Sequence, residues 1–249
     1  QLDMLPEPFR SQMRDGNFSA GRGDDVWQVV PTAWIKAAQA RWKPRDIKGR
    51  LTRCSLDPAR GGDDRTALAR RHEDWFDEVL AVPGKLTKDG PSTAAFVMQH
   101  LRDGSAVAID TIGIGSSAYD FCVQQKMRTV AVVGSEGTNS MDKTGNFNFR
   151  NVRALMYWRL REALDPQSGM DIALPPDPEL FSELAAVRYK IVTMGRKAAI
   201  QCLSKDDIRE ILGRSPDKAD AVAQTFIDNF PAPAASADVS AFRRMRGYQ

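Results

Sequence analysis

Four carboxylates in this sequence stand where acids are costly unless something satisfies them. Asp57 ends an apolar-leaning run, Leu51 to Leu56, and precedes Pro58, a glycine pair and two further acids. Asp110 ends the β-branched run AVAID, and Asp217 and Asp220 open a helix after Ser215-Pro216. A carboxylate at a buried strand end needs a cation or hydrogen-bond donors. Each acid read alone is equally a turn or helix cap. Read together, two strand-end acids and a helix-start pair are the parts of a two-metal site. Carboxylates gathered in one pocket repel, and hard oxygen-seeking ions such as Mg²⁺ or Mn²⁺ relieve the repulsion. Two such ions about 4 Å apart activate water and stabilise the leaving oxygen of a phosphodiester.

The elements that must position these acids follow from pattern. SLDPARGGDDRTAL reads as strand, tight turn, strand, which sets Asp57 on the first strand of a hairpin. Asp74 to Lys85 reads as a third strand, completing an antiparallel meander. Ser92 to Asp103 has a serine cap and helical spacing. Ala106 to Asp110 and Arg128 to Gly134 read as buried parallel strands. Between them TIGIGSSAYDFCVQQ turns into a helix from about Ser117. Its Gly113-x-Gly115 lacks the third glycine of a dinucleotide fingerprint, so tight turning is the better reading than phosphate binding. The fold class expected is α/β, a mixed central sheet of antiparallel meander plus parallel strands, flanked by helices.

The remaining helices are Pro31 to Trp42, an amphipathic segment expected to lie on the sheet, then Val152 to Leu164, Asp177 to Ala186 and Ile208 to Leu212. Tyr189 to Thr193 and Ala198 to Leu203 read as two short strands turning at Gly195, with Lys205 closing the second. Trp27, Trp34 and Trp42 read as packing anchors. Ser135 to Asn151 reads as a long polar loop, and Lys143, Arg150 and Arg153 on and after it are candidate phosphate contacts.

Composition bounds the rest. The 249 residues are 42% hydrophobic with a net charge of +3, enough for one sizeable core and compatible with a polyanionic partner. Three separated cysteines and two histidines make zinc improbable and suit a reducing cytosol. No apolar run approaches a membrane span. Residues 1–26 read as a linker, 27–230 as the domain and 231–249 as a flexible basic tail. Opening on Gln1 inside patterned sequence is expected of a piece of a longer protein.

The order of SLDPARGGDDRTA, VAIDTIGIGSSAYD, FNFRNVRALMYWRLREAL and GRSPDKADAV resembles the nuclease domain of the terminase large subunit, the DNA-packaging motor of tailed phages. The resemblance runs from about Trp27 to Phe230. It implies a ribonuclease H-like fold and an endonuclease that cuts concatemeric double-stranded DNA with two Mg²⁺ or Mn²⁺ ions. It also implies Asp57, Asp110 and Asp220 as catalytic metal ligands, with Asp217 as substitute for the third. Many relatives have Glu where Asp110 stands. Asp64 would support the ligands, and Lys205 would orient a phosphate or water. An upstream ATPase domain, the portal protein and the terminase small subunit are the implied partners, in the host cytoplasm and with no membrane. Little sequence preference and steep salt sensitivity are expected of DNA binding. Two other readings stay open: an actin- or sugar-kinase-like ATP-binding domain, with DPARGGDDRT on the phosphates, and a non-catalytic DNA- or portal-docking module.

Overall fold

The computed structural model describes residues 24–59, 64–195 and 197–232. Most of the expected linker and tail, and the tip of the first hairpin, lie outside the described residues. β1 (Arg53–Asp57) and β2 (Arg65–His72) pair antiparallel with Asp57 opposite Ala67. The third strand is split by a register break into β3 (Trp75–Phe76) and β4 (Leu80–Pro83), both antiparallel to β2. At the break Asp77 is buried, and Lys48 and Arg70 neutralise it at 2.7 and 3.0 Å. β5 (Val107–Asp110) lies parallel to β1, and β6 (Thr129–Val132) parallel to β5. The order β3-β2-β1-β5-β6, with β4 beside β2, is the mixed sheet expected.

Alternation along the strands sorts the sheet's two faces. Cys54, Leu56, Leu68, Val107 and Ile109 face α2 (Gly90–Met98) and α3 (Ile114–Gln124) in a small core. Ala67, Ala69 and Ala108 face the larger core built with α4 (Val152–Leu164), α5 (Pro178–Ala186) and α7 (Asp217–Gln224). Small residues there let α7 approach the strands closely.

Several boundaries differ from the expectation. α2 starts under Asp89, whose side chain accepts from Ser92 N at 2.9 Å while Ser92 returns the bond; Ser92 is therefore the fourth residue of a capping box, not the cap. The helix stops at Met98, and Asp103 instead accepts from Leu51 N at 2.7 Å. α3 begins three residues early because Gly113 holds φ at +71° and permits the turn. α1 (Thr32–Arg41) lies against α4 and α5 rather than on the sheet. Trp42 at its end stacks on Trp75 at 5.7 Å, whereas Trp27 stays 40% exposed. The polar loop contains β7 (Asn148–Phe149), which joins β8 (Tyr189–Met194) and β9 (Lys197–Cys202) in a second sheet. Ser204 caps α6 (Lys205–Leu212) with Asp207, so Lys205 begins a helix instead of closing a strand.

Candidate active site

Leu56 pairs with Ile109 in the parallel register, so the next residues, Asp57 and Asp110, stand side by side at the carboxyl ends of adjacent strands. Strand spacing puts their backbones about 5 Å apart. Both alternate away from the α2–α3 face and towards α7. Asp110 Oδ1 accepts from Ile112 N at 3.0 Å, turning the chain at once into α3. Here Gly115 is required: a Cβ on it would stand 1.7 Å from the Asp110 carbonyl oxygen.

α7 supplies the other two acids, and its start is fixed from several sides. Pro216 precedes it with no side-chain cap, and Glu183 of α5 substitutes, accepting from Ala219 N at 2.8 Å. The fully buried Glu183 is paired with Arg214. Burial pushes its carboxyl up to about 7 against the pull of Arg214 and Ala219. Ser55 of β1 donates to the Ala221 carbonyl. Arg65 N approaches Asp217 Oδ2 at 3.4 Å, and the Arg65 guanidinium grips Glu179 at the head of α5.

Lys205, from the head of α6, sits among the acids. Its Nζ is 2.9 Å from Asp57 Oδ2, 3.3 Å from Asp220 Oδ2 and 3.9 Å from Asp217 Oδ1. Asp220 is held by its other oxygen: Arg153 Nη1 lies 2.8 Å from Oδ1, and the Tyr157 hydroxyl donates to it at 2.5 Å. Arg153 and Tyr157 are one turn apart on α4, so one helix face orients this carboxylate. Four carboxylates face two cations here, leaving the pocket negative.

Titration follows from that imbalance. Burial raises Asp57, and Asp220, Asp217 and Asp110 add to the effect against Lys205, bringing its carboxyl to about 7. Asp110 is also raised, chiefly by burial. Burial would raise Asp220 too, but Arg153, Lys205 and Tyr157 outweigh it and hold the group below the ordinary aspartate value. Burial would lower Lys205, yet Asp57 and Asp220 keep its ammonium firmly protonated.

The structure thus brings Asp57, Asp217 and Asp220 onto one ammonium, with Asp110 beside Asp57. Among the described residues no three acids, histidines or cysteines already surround a common point as ligands; Lys205 stands between them. The other expected site residues take different places, and one of them needs correction. Arg153 is not a free phosphate contact, because Asp220 engages it; its Nε and Nη2 are buried without hydrogen-bond partners. Asp64 is tied to Arg209 at 2.9 Å and braces α6 one turn beyond Lys205. Lys143 is held through its backbone N, which donates to Glu162 near the far end of α4 and remote from Asp220, while its side chain stays exposed. Arg150 is exposed ahead of α4. Tyr157 and Glu183 are not singled out from sequence; a tyrosine one turn after Arg153 on the Val152–Leu164 helix was the available signal.

This architecture is the ribonuclease H-like fold, with Asp57 and Asp110 at the carboxyl ends of adjacent central strands and Asp217 and Asp220 on the helix packed against them. The chain matches no protein-family model and no curated protein. Among solved structures it is similar to the nuclease domain of the large terminase subunit gp2 of bacterial virus Sf6, with TM-score 0.59 and 19% identity over 80% of this chain and 97% of that domain. A mutant of the Sf6 domain with manganese and beta-thujaplicinol aligns at TM-score 0.60, again at 19% identity over 80% and 97% of the two chains. A mutant with calcium aligns at 0.59 and 19%, over 80% and 98%. At this identity the likeness establishes the fold.

Proposed function

We propose that the domain is the divalent-metal-dependent endonuclease of a terminase large subunit, cutting concatemeric double-stranded phage DNA at the start and end of genome packaging. The observation that carries this reading is the gathering of Asp57, Asp217 and Asp220 around one cation, beside Asp110. The donor set suits a hard ion: it is all carboxylate oxygen and carries surplus negative charge. The Sf6 domains solved with manganese and with calcium support a divalent metal. Asp57, Asp110, Asp217 and Asp220 would hold two Mg²⁺ or Mn²⁺ ions, which when bound supply an activated water and stabilise the leaving oxygen.

The chain's own residues do the rest. Arg153 and Tyr157 fix Asp220 so that Oδ2 faces the pocket. Lys205 keeps the acids together, and on DNA its ammonium would meet a phosphate oxygen, with the exposed Arg150 as an outer contact. An upstream ATPase domain, the portal protein and the small subunit complete the proposed assembly, in the cytoplasm of the bacterial host. Supercoiled plasmid incubated with the purified chain should be nicked and linearised with Mn²⁺ or Mg²⁺, and left intact in EDTA or by Asp110→Ala. Cleavage that persists under either condition would remove the assignment.

Lys205 and a divalent ion would compete for the same oxygens. Deleting one positive charge about 4 Å from a partly screened ion corresponds to about tenfold tighter binding. Lys205→Ala should therefore bind Mn²⁺ about tenfold more tightly by calorimetry. The side chain is 37% exposed, so solvent screening limits the accompanying loss of metal-free stability to about 1 kcal/mol. Weaker Mn²⁺ binding by the variant would show that Lys205 is not a competitor.

A further inference from the structure

The opposite end of the sheet carries the reverse charge. Arg53 opens β1 and pairs across to Arg71 on β2. Four residues of strand separate Arg53 from Asp57, about 13 Å. Arg53, Arg71 and Lys143 line a cavity of about 590 Å³, with Phe226 and Phe230 in its wall. Arg71 is only 7% exposed; its guanidinium lies over Phe226 at 4.3 Å, and its Nε donates to the Glu73 carbonyl at 2.5 Å. Arg53 lies over Phe230 at 5.1 Å and donates from Nη1 to the Thr225 carbonyl at 2.8 Å. Each guanidinium has five N–H donors, so most of both forks is unused by these bonds.

Countercharge is short. Among the described residues, Asp74 at 3.9 Å is the carboxylate within 4.0 Å of Arg71, and none lies within 4.0 Å of Arg53, which feels Asp228 from farther off. The cavity's own acids are engaged: Glu162 and Asp228 take Arg159 at 2.9 and 3.2 Å, Asp228 also accepts from Ser140 at 2.7 Å, and Glu162 from Lys143 N. Four cationic side chains thus face two acids, a surplus of two positive charges in a half-enclosed, partly apolar space. Burial, joined by repulsion from Arg53, pulls Arg71 down to about 10. A buried guanidinium beside a second one, with only the long Asp74 contact as countercharge, is costly, and an anionic ligand would relieve it.

We propose that this cavity is a second binding site, for a phosphate group carried by a nucleotide or by a nucleic-acid strand. Phe230 and Phe226 back the guanidinium groups of Arg53 and Arg71, whose remaining N–H groups are left to donate, as phosphate recognition by arginine requires. The charge surplus matches a phosphomonoester dianion, as on a nucleotide or at the 5′ end of a strand, better than a single carboxylate, and the volume of about 590 Å³ falls in the range of about 300–1,000 Å³ typical of small-ligand sites. The site is separate from the acids and stands whether or not the nuclease assignment holds.

Calorimetry on the whole chain in EDTA, with deoxyadenosine monophosphate in one arm and a short 5′-phosphorylated DNA duplex in the other, tests the proposal. At least one probe should bind saturably. Arg71→Gln should weaken binding about tenfold or more, and Lys143→Gln, whose side chain is exposed and not needed for folding, about threefold. Binding of the mononucleotide identifies a nucleotide site, and binding of the duplex alone identifies a strand contact. No saturable binding of either probe, or binding unchanged by both Lys143→Gln and Arg53→Gln, overturns the proposal.

Discussion

Asp57→Asn is expected to slow Mn²⁺-dependent plasmid cleavage at least about 100-fold, the equivalent of about 3 kcal/mol of transition-state stabilisation. The same variant is expected to melt higher than the parent at pH 8 in EDTA. Asp57 is a buried acid crowded by Asp220, Asp217 and Asp110, with its carboxyl raised from 3.8 to about 7. Between those values the native state holds a proton that the unfolded chain has released, so this group's contribution is fully present below about pH 4 and is lost as pH rises through 7. Asparagine carries no such penalty, and Lys205 keeps Asp220 and Asp217 as partners. The gain should therefore be largest at pH 8 and shrink steadily towards pH 4, read as Tm against pH. A variant that loses cleavage and also melts lower at pH 8 would make Asp57 a structural acid instead of a poised ligand.

Glu183→Ala is expected to cost about 3 kcal/mol of stability, roughly 6–12 °C in Tm for a domain of this size. The change leaves the buried Ala219 N–H without its acceptor and takes one of two carboxylates from the Arg214 guanidinium, which keeps Glu179 at 3.3 Å. It also opens a hole where the carboxylate was fully buried. Because Glu183 caps the helix that carries Asp217 and Asp220, Mn²⁺ affinity should fall with stability. Glu183→Gln keeps an acceptor for Ala219 N and should recover much of the loss. Chemical denaturation alongside metal titration checks both. If alanine and glutamine behave alike, the cap is not what holds α7.

The hairpin with Asp57, the buried strand ending on Asp110 and the Val152–Leu164 helix were all legible, because each rests on a local period and a local stop signal. The Asp89 cap was not, because serine and aspartate three residues apart are both good caps and only the fold chooses between them. Arg153 read as a candidate phosphate contact for the same reason: nothing near it in sequence reveals Asp220, which lies 67 positions later.

Local chemistry therefore determined which acids end strands and open helices, and the order of elements that makes a mixed sheet. Tertiary structure alone decided that Lys205 stands between Asp57, Asp217 and Asp220, that Tyr157 and Arg153 orient one of them, and that Arg53 and Arg71 share a cavity at the other end. Periodicity and capping act over a few residues, whereas the electrostatics of a site depend on distances between side chains that only packing brings together.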